Sequence, residues 1–367
     1  MSKKSEPTTK TPSSRLLSLD YLRGYFIAVI IIDHLWRFPS LWALVSGKGM
    51  LWMSAAEGFV MISGFLIGYI RGFKGLKLPF LDIAKKLLIR AGILYVWMLI
   101  VSMGYIAIEW SGKVTNMPFT PLPTGERNYW DMFVSFATSG EPHMWIHFLY
   151  LYAIFLVLAI GVVALLRKRQ PWLVLAGTLL LYLAGLQFNI EWMKWQVVFF
   201  LPSLVGFYFD TIRARWTQLG EPRRRQVRRS LYGTTLITMA LSVLAIFWPQ
   251  TLPSGFVEGS EAVFDIELFS PLRVLIAGLW FTTLAFVFER ITPFLHKYTY
   301  GIIEYLGTHS LTAYIAHGYV ICLIGLGLTF TIPTVWATWF NTLLGLLAII
   351  GTYLIIRAPI LNKVLPK

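Results

Sequence analysis

The chain has 367 residues, of which 56% are hydrophobic and only 14% charged, and its mean hydropathy is +0.64. That composition excludes an ordinary soluble domain and identifies an integral membrane protein. A net charge of +14 would suit nucleic acid only if the basic residues formed one face of a soluble domain. They lie instead between apolar runs, where membrane topology accounts for them, so no nucleic-acid partner is expected.

The first fifteen residues, MSKKSEPTTKTPSSR, are polar and rich in Pro, Ser and Thr. They read as a disordered tail, ahead of one transmembrane domain over 16–367. The first hydrophobic stretch has no small-residue cleavage site and leads straight into others, so it reads as a retained helix and not as a signal peptide. Apolar stretches of spanning length occur near 16–36, 51–71, 87–110, 144–166, 171–188, 193–212, 230–248, 271–290, 302–327 and 333–357. The expected fold is therefore all-α, with about ten transmembrane helices and both termini on one side. If that side is cytoplasmic, the inner connections collect 26 of the 32 Lys and Arg residues. The outer side keeps Arg37, Lys48, Lys113, Arg127, Lys194 and Arg273. Two outer segments are long, 111–143 and 249–270, and the first has an aromatic stretch, Tyr129, Trp130 and Phe133, suited to the membrane surface. Among the inner connections only 213–229 is long, and its Arg cluster would attract anionic lipid head groups. Cys322, the single cysteine, lies in an apolar run, so neither a disulfide framework nor a cysteine metal site is expected.

The first helix carries Arg23 and, eleven residues on, His34. Eleven steps return to within about 20° of the same helix face, roughly 16 Å further along the axis. One face thus holds a fixed cation and, nearer the other membrane surface, a titratable base. Ionisable groups in a span usually face a protein interior or a water-filled cavity, so the pair marks a functional site. Asp33 points about 100° away from His34 and is no obvious partner for its ring. Glu57, in the second span, needs a partner; the options are Arg23, acceptor hydroxyls, or another helix that it locks in place. Ser63 followed by Gly64 reads as a close helix approach in preference to a nucleophile. His143 and His147 are four apart, but without clustered Asp, Glu or Cys they predict no metal site and suit an acceptor-side role.

At LDYLRG…IIDHLW the chain resembles the membrane acyltransferase-3 superfamily, whose first helix similarly carries an Arg and a His separated by ten residues. The resemblance extends to SAAEGFVMISGFLIGY at 54–69 and to YLGTHSLTAYIAHGY at 305–319. The wording AAEGFVMISGF and KWQVVFFLPSLVGFYF, at 194–209, is most similar to the OpgC-type enzymes that succinylate periplasmic glucans. The resemblance implies an O-acyltransferase of the bacterial inner membrane with cytoplasmic termini, taking an acyl group, succinyl or acetyl, from cytoplasmic acyl-CoA to a hydroxyl of a periplasmic or cell-surface glycan. It implies a pair of third-helix arginines three residues apart; Arg90 fits the second, whereas position 87 is Leu, leaving Lys86 as the substitute. Ser310, Tyr314 and His317 fall at i, i+4 and i+7 on one face and are expected to bind donor, acceptor or one another.

Acyl transfer to an alcohol requires removal of the hydroxyl proton as the bond forms, and a neutral imidazole suits that task. His34 is therefore the expected base, with Arg23 gripping the phosphate-rich donor near the inner surface. The expected partners are acyl-CoA, a glycan acceptor and membrane lipids; no metal is expected. A secondary transporter with Arg23, Glu57 and His34 lining its path is the alternative, and it predicts internal repeats and helices broken near mid-depth. A non-enzymatic scaffold is a third reading.

Overall fold

The computed structural model describes residues 16–114, 120–138, 141–327 and 334–358; the N-terminal tail expected at 1–15 lies outside them. In chain order its α-helices are α1 (Leu17–Leu35), α2 (Ala43–Ser46), α3 (Ala55–Leu66), α4 (Phe80–Trp110), α5 (Tyr129–Thr138), α6 (His147–Arg167), α7 (Pro171–Phe188), α8 (Glu191–Trp195) and α9 (Val197–Phe207). They continue as α10 (Phe209–Gln218), α11 (Glu221–Phe247), α12 (Ser254–Val263), α13 (Pro271–Tyr298), α14 (Ile302–Thr308), α15 (Ser310–Gly327) and α16 (Thr334–Arg357). Beyond α3 the backbone widens into a π-helical stretch, Ile67–Phe73, and then tightens into a 3-10 turn.

Among the described residues, seven helices are long and apolar enough to cross a membrane, or nine if each of two bent pairs is one span. This is a multi-pass, helical membrane architecture. Helix α1 fails the same test because Asp20, Arg23 and Asp33 all fall within its 19 residues. It is nevertheless the centre of the bundle, packed against α3, α13, α14, α15 and α16, with Tyr21, Leu22, Phe26, Ile27 and Ile31 almost fully buried. Charges unsuited to lipid are thus carried by a helix that is surrounded by protein.

Local sequence sets the helix ends. Ser54 and Glu57 form a capping box at the start of α3; Pro271 occupies the first turn of α13, where Ser270 accepts a hydrogen bond from the Arg273 amide. Four stretches differ from the apolar pattern. Helix α4 begins seven residues before 87 and takes Lys85, Lys86 and Arg90 into its first turns. Helices α10 and α11 absorb the segment 213–229, which is helical where a connection was expected, because its arginines are good helix formers and Pro222 sits in the first turn. The stretch 302–327 is two helices, bent by 108° at His309, and 193–212 bends by 63° at Tyr208.

The first of these breaks lets α14 lie directly on α1. A Cβ on Gly307 would stand 1.8 Å from the Asp20 carbonyl oxygen, and one on Gly24 would stand 1.9 Å from that of Ile303. The two backbones therefore touch on either side of Arg23. Helix α3 returns antiparallel to α1, with Gly58 against the Phe26 ring, and its end meets the second break, where Phe65 and Tyr69 contact Phe209. Both breaks thus lie toward the Arg23 end of the bundle. Gly64 packs on the Phe199 backbone, a close helix approach, while the Ser63 hydroxyl donates to the Phe59 carbonyl.

Candidate active site

His34 and His317 meet: His34 Nδ1 lies 2.6 Å from His317 Nε2, and His317 Nδ1 lies 2.6 Å from the Tyr314 carbonyl oxygen. A carbonyl only accepts, so the His317 Nδ1 must carry a proton, and in a neutral ring Nε2 then accepts. His34 must accordingly donate through Nδ1, which leaves its own Nε2 as an unprotonated lone pair. His317 is fully buried whereas His34 keeps partial access, so the inner ring orients and the outer ring presents. Trp145 stacks on His34 at 6.2 Å and fixes the ring plane.

His143 meets Trp145 edge-on at 5.6 Å, and Tyr105 packs on His143 at 4.7 Å. The His143 ring is buried outside the spans, and loss of hydration pushes its imidazole down to about 4, so it is neutral at pH 7. Its Nδ1 accepts the Trp145 amide at 3.3 Å, which puts the proton on Nε2. That Nε2 is buried without a hydrogen-bond partner among the described residues.

Arg23 occupies the opposite end of the same α1 face. Its guanidinium sits 5.4 Å from the centre of the Phe59 ring, and its Nε is buried without a hydrogen-bond partner. Arg90, on the inward side of α4 near buried Leu87 and Leu94, also has a buried Nε without a partner and lies close enough for the two guanidinium charges to repel. Two neighbouring cations, each with a buried Nε that no described residue accepts and with the Asp20 charge also acting on Arg23, are chemically suited to an anion. Between the two ends runs a series of rings: Phe59 stacks on Tyr314 at 6.5 Å, Tyr314 on His317 at 5.4 Å, and His317 on His34 at 4.8 Å. Beside it is a narrow cavity of 20 Å³, room for a single water, lined by Phe59, Ser63, Phe148, Tyr152, Leu311 and Tyr314.

The remaining expected residues divide clearly. Ser310 and Tyr314 are buried on α15, as is His317, and the Tyr314 hydroxyl has no partner among the described residues. Lys86 is exposed one turn before Arg90. Glu57 is elsewhere occupied: Oε1 accepts Arg273 Nε at 2.6 Å, and Oε2 accepts the Ser54 amide at 2.8 Å and the Ser54 hydroxyl. Of the options open for Glu57, this arrangement is the helix lock, joining α3 to α13. His147 pairs with Glu191 at 2.7 Å, and no cluster of metal-ligating residues occurs among the described residues.

The OpgC protein family matches the chain over residues 15–358, nearly its whole length. The chain belongs to the OpgC family. Membership points to a membrane acyltransferase acting in glucan modification. No curated protein and no solved structure matches the chain.

Two contacts in this OpgC-family protein were not expected from sequence, although His143 itself was read as an acceptor-side residue. Arg273 read as an outer topology charge, yet it is buried against Glu57; the capping pattern Ser54-x-x-Glu57 was the available signal that this carboxylate caps a helix. His143 was separated from His34 by more than a hundred residues, and only the packing of α6 against α4 and of α15 against α4 brings the OpgC-family site together.

Proposed function

We propose that the protein is an O-acyltransferase that takes an acyl group from cytoplasmic acyl-CoA and places it on a hydroxyl of a periplasmic glucan, with His34 as general base. The observation that carries this reading is the hydrogen-bond chain from the Tyr314 carbonyl through His317 to His34; with both rings neutral, its order leaves His34 Nε2 to accept a proton. As the acceptor oxygen attacks the thioester carbonyl, its proton passes to Nε2. Collapse of the tetrahedral intermediate breaks the carbon–sulfur bond, and the proton then leaves with the coenzyme A thiol. The unpartnered Nε2–H of His143 is a donor for the oxyanion that forms in between. Arg23 and Arg90, with exposed Lys86 before them, hold the donor's phosphates, while Ser310 and Tyr314 contact the acyl chain between the two ends. Counting α1 and both bent pairs as crossings gives ten and sets both termini on one side of a bacterial inner membrane, and the Lys and Arg asymmetry of the connections supports the cytoplasmic side.

A transporter would place its broken helices near mid-depth, and the position of both breaks at the Arg23 end favours the enzyme. The test uses purified full-length protein with radiolabelled succinyl-CoA and acetyl-CoA and a glucan acceptor. The unmodified chain labels glucan, and His34→Ala loses at least about 10²-fold in rate. Arg23→Ala raises the donor KM. Label transfer undiminished in His34→Ala removes the assigned base, and failure of every donor removes the reaction.

A further inference from the structure

The donor and acceptor elements leave a different basic feature unused. Helix α11 opens EPRRRQVRRS, and Glu221 engages two of these arginines, Arg224 at 3.0 Å and Arg228 at 2.8 Å. Arg223, Arg225 and Arg229 are exposed and have no ion-pair partner among the described residues. They frame two adjoining surface grooves of 670 and 520 Å³ that share Gln226 and Ser230.

The larger groove follows a single stripe of α11, Arg223, Gln226, Val227, Ser230, Leu231 and Thr234, at helical offsets 0, 3, 4, 7, 8 and 11. Over roughly 16 Å of axis the stripe runs from a cation at Arg223 to a half in which Val227 and Leu231 alternate with the hydroxyls of Ser230 and Thr234, and Leu219 and Leu279 line the groove with it. The smaller groove lies around the helix from this stripe, meets it at Gln226 and Ser230, and is lined by Arg225 and Arg229, one turn apart, with Glu221 and Pro222; a ligand that uses both grooves crosses at Gln226 and Ser230. A ligand matching this arrangement carries an anionic head joined to a long apolar chain.

We propose that this groove is a binding site for an anionic phospholipid, with the phosphate between Arg225 and Arg229 and one acyl chain along Val227, Leu231 and Leu279. Two observations select a lipid over a free phosphate or the acyl donor. The groove continues into the apolar part of a spanning helix, where a soluble anion has no use for it. Helix α11 is peripheral, packing against α13, whereas Arg23 and Arg90 stand on α1 and α4. Cations beside a bilayer surface each favour anionic lipid by about fivefold, so removing two weakens binding by about thirtyfold.

The experiment is native mass spectrometry of the detergent-purified full chain titrated with phosphatidylglycerol or phosphatidylcholine, on the unmodified protein, R225Q/R229Q and Leu231→Trp. Preferential retention of phosphatidylglycerol is expected, about thirtyfold weaker in R225Q/R229Q. Leu231→Trp, which fills the apolar part while leaving every arginine in place, is expected to lose retention as well. Excess inorganic phosphate or coenzyme A should not displace the lipid. Equal retention of phosphatidylcholine, unchanged retention in either variant, or displacement by phosphate or coenzyme A would each overturn the proposal. Because the read-out is bound lipid and not acyl transfer, its failure is independent of the assignment of His34.

Discussion

At the residue scale the site depends on which nitrogen carries a proton, and that is settled by a chain of acceptors that ends in a backbone carbonyl. His317 is a positioning residue under this scheme: it touches His34, and His34 touches the acceptor. His317→Ala removes the acceptor for His34 Nδ1–H and frees the ring to tip, which should lower kcat by about 10²-fold with little change in donor KM. His317→Gln supplies an amide oxygen at a similar reach and should recover part of that loss, which steady-state kinetics on the two variants will show. Equal activity in both variants would remove the positioning role. Glu57 and Arg273 make the opposite case, a buried charge pair with its valences filled inside the protein. Arg273→Ala strands a buried carboxylate and should cost about 3–5 kcal/mol, seen as a large drop in thermal midpoint of the detergent-solubilised protein. A midpoint unchanged by the substitution would mean the pair is not what joins α3 to α13.

At the scale of elements, the decisive feature is the break at His309. The 108° bend turns α14 across the Arg23 end of α1 and sends α15 back along it, which is how one apolar stretch supplies both the Gly307 contact near Arg23 and the His317 contact at His34. Thr308 donates to the Tyr305 carbonyl, and the His309 ring stacks on Tyr305 at 4.1 Å, so local side chains occupy the corner. Gly307→Ala would drive a methyl into the Asp20 carbonyl, and neither backbone can yield without moving Arg23. A cost of about 1–3 kcal/mol is expected, with a raised donor KM beyond that of a matched surface substitution. Wild-type kinetics in Gly307→Ala would show that α14 does not hold Arg23 in register.

For the whole molecule the open quantity is orientation, and the single, buried Cys322 makes it measurable. In a Cys322→Ala background, Gln218→Cys reports the end of α10 and Glu258→Cys reports α12, both at exposed positions. An impermeant maleimide added to intact spheroplasts should label position 258, and position 218 only after permeabilisation. The reverse pattern would invert the proposed topology and remove cytoplasmic acyl-CoA as the donor.

Much of this molecule is written in local pattern. Hydropathy marks the spans, as α7 shows by occupying the expected stretch 171–188, because a spanning helix satisfies its own backbone and needs only apolar side chains. The Arg23 and His34 spacing is likewise a property of one helix, and so it was legible without neighbours. Helix α1 as the bundle centre was not legible, since three charges in a span make sense only once surrounding helices exclude lipid. Nor were the bend at His309, the choice of Arg273 as partner to Glu57, or the meeting of His34 with His317 across 283 positions. Those are contacts between segments remote in sequence, and only tertiary packing, in which backbone approach at small residues decides which faces meet, selects among the partners that local pattern leaves equivalent.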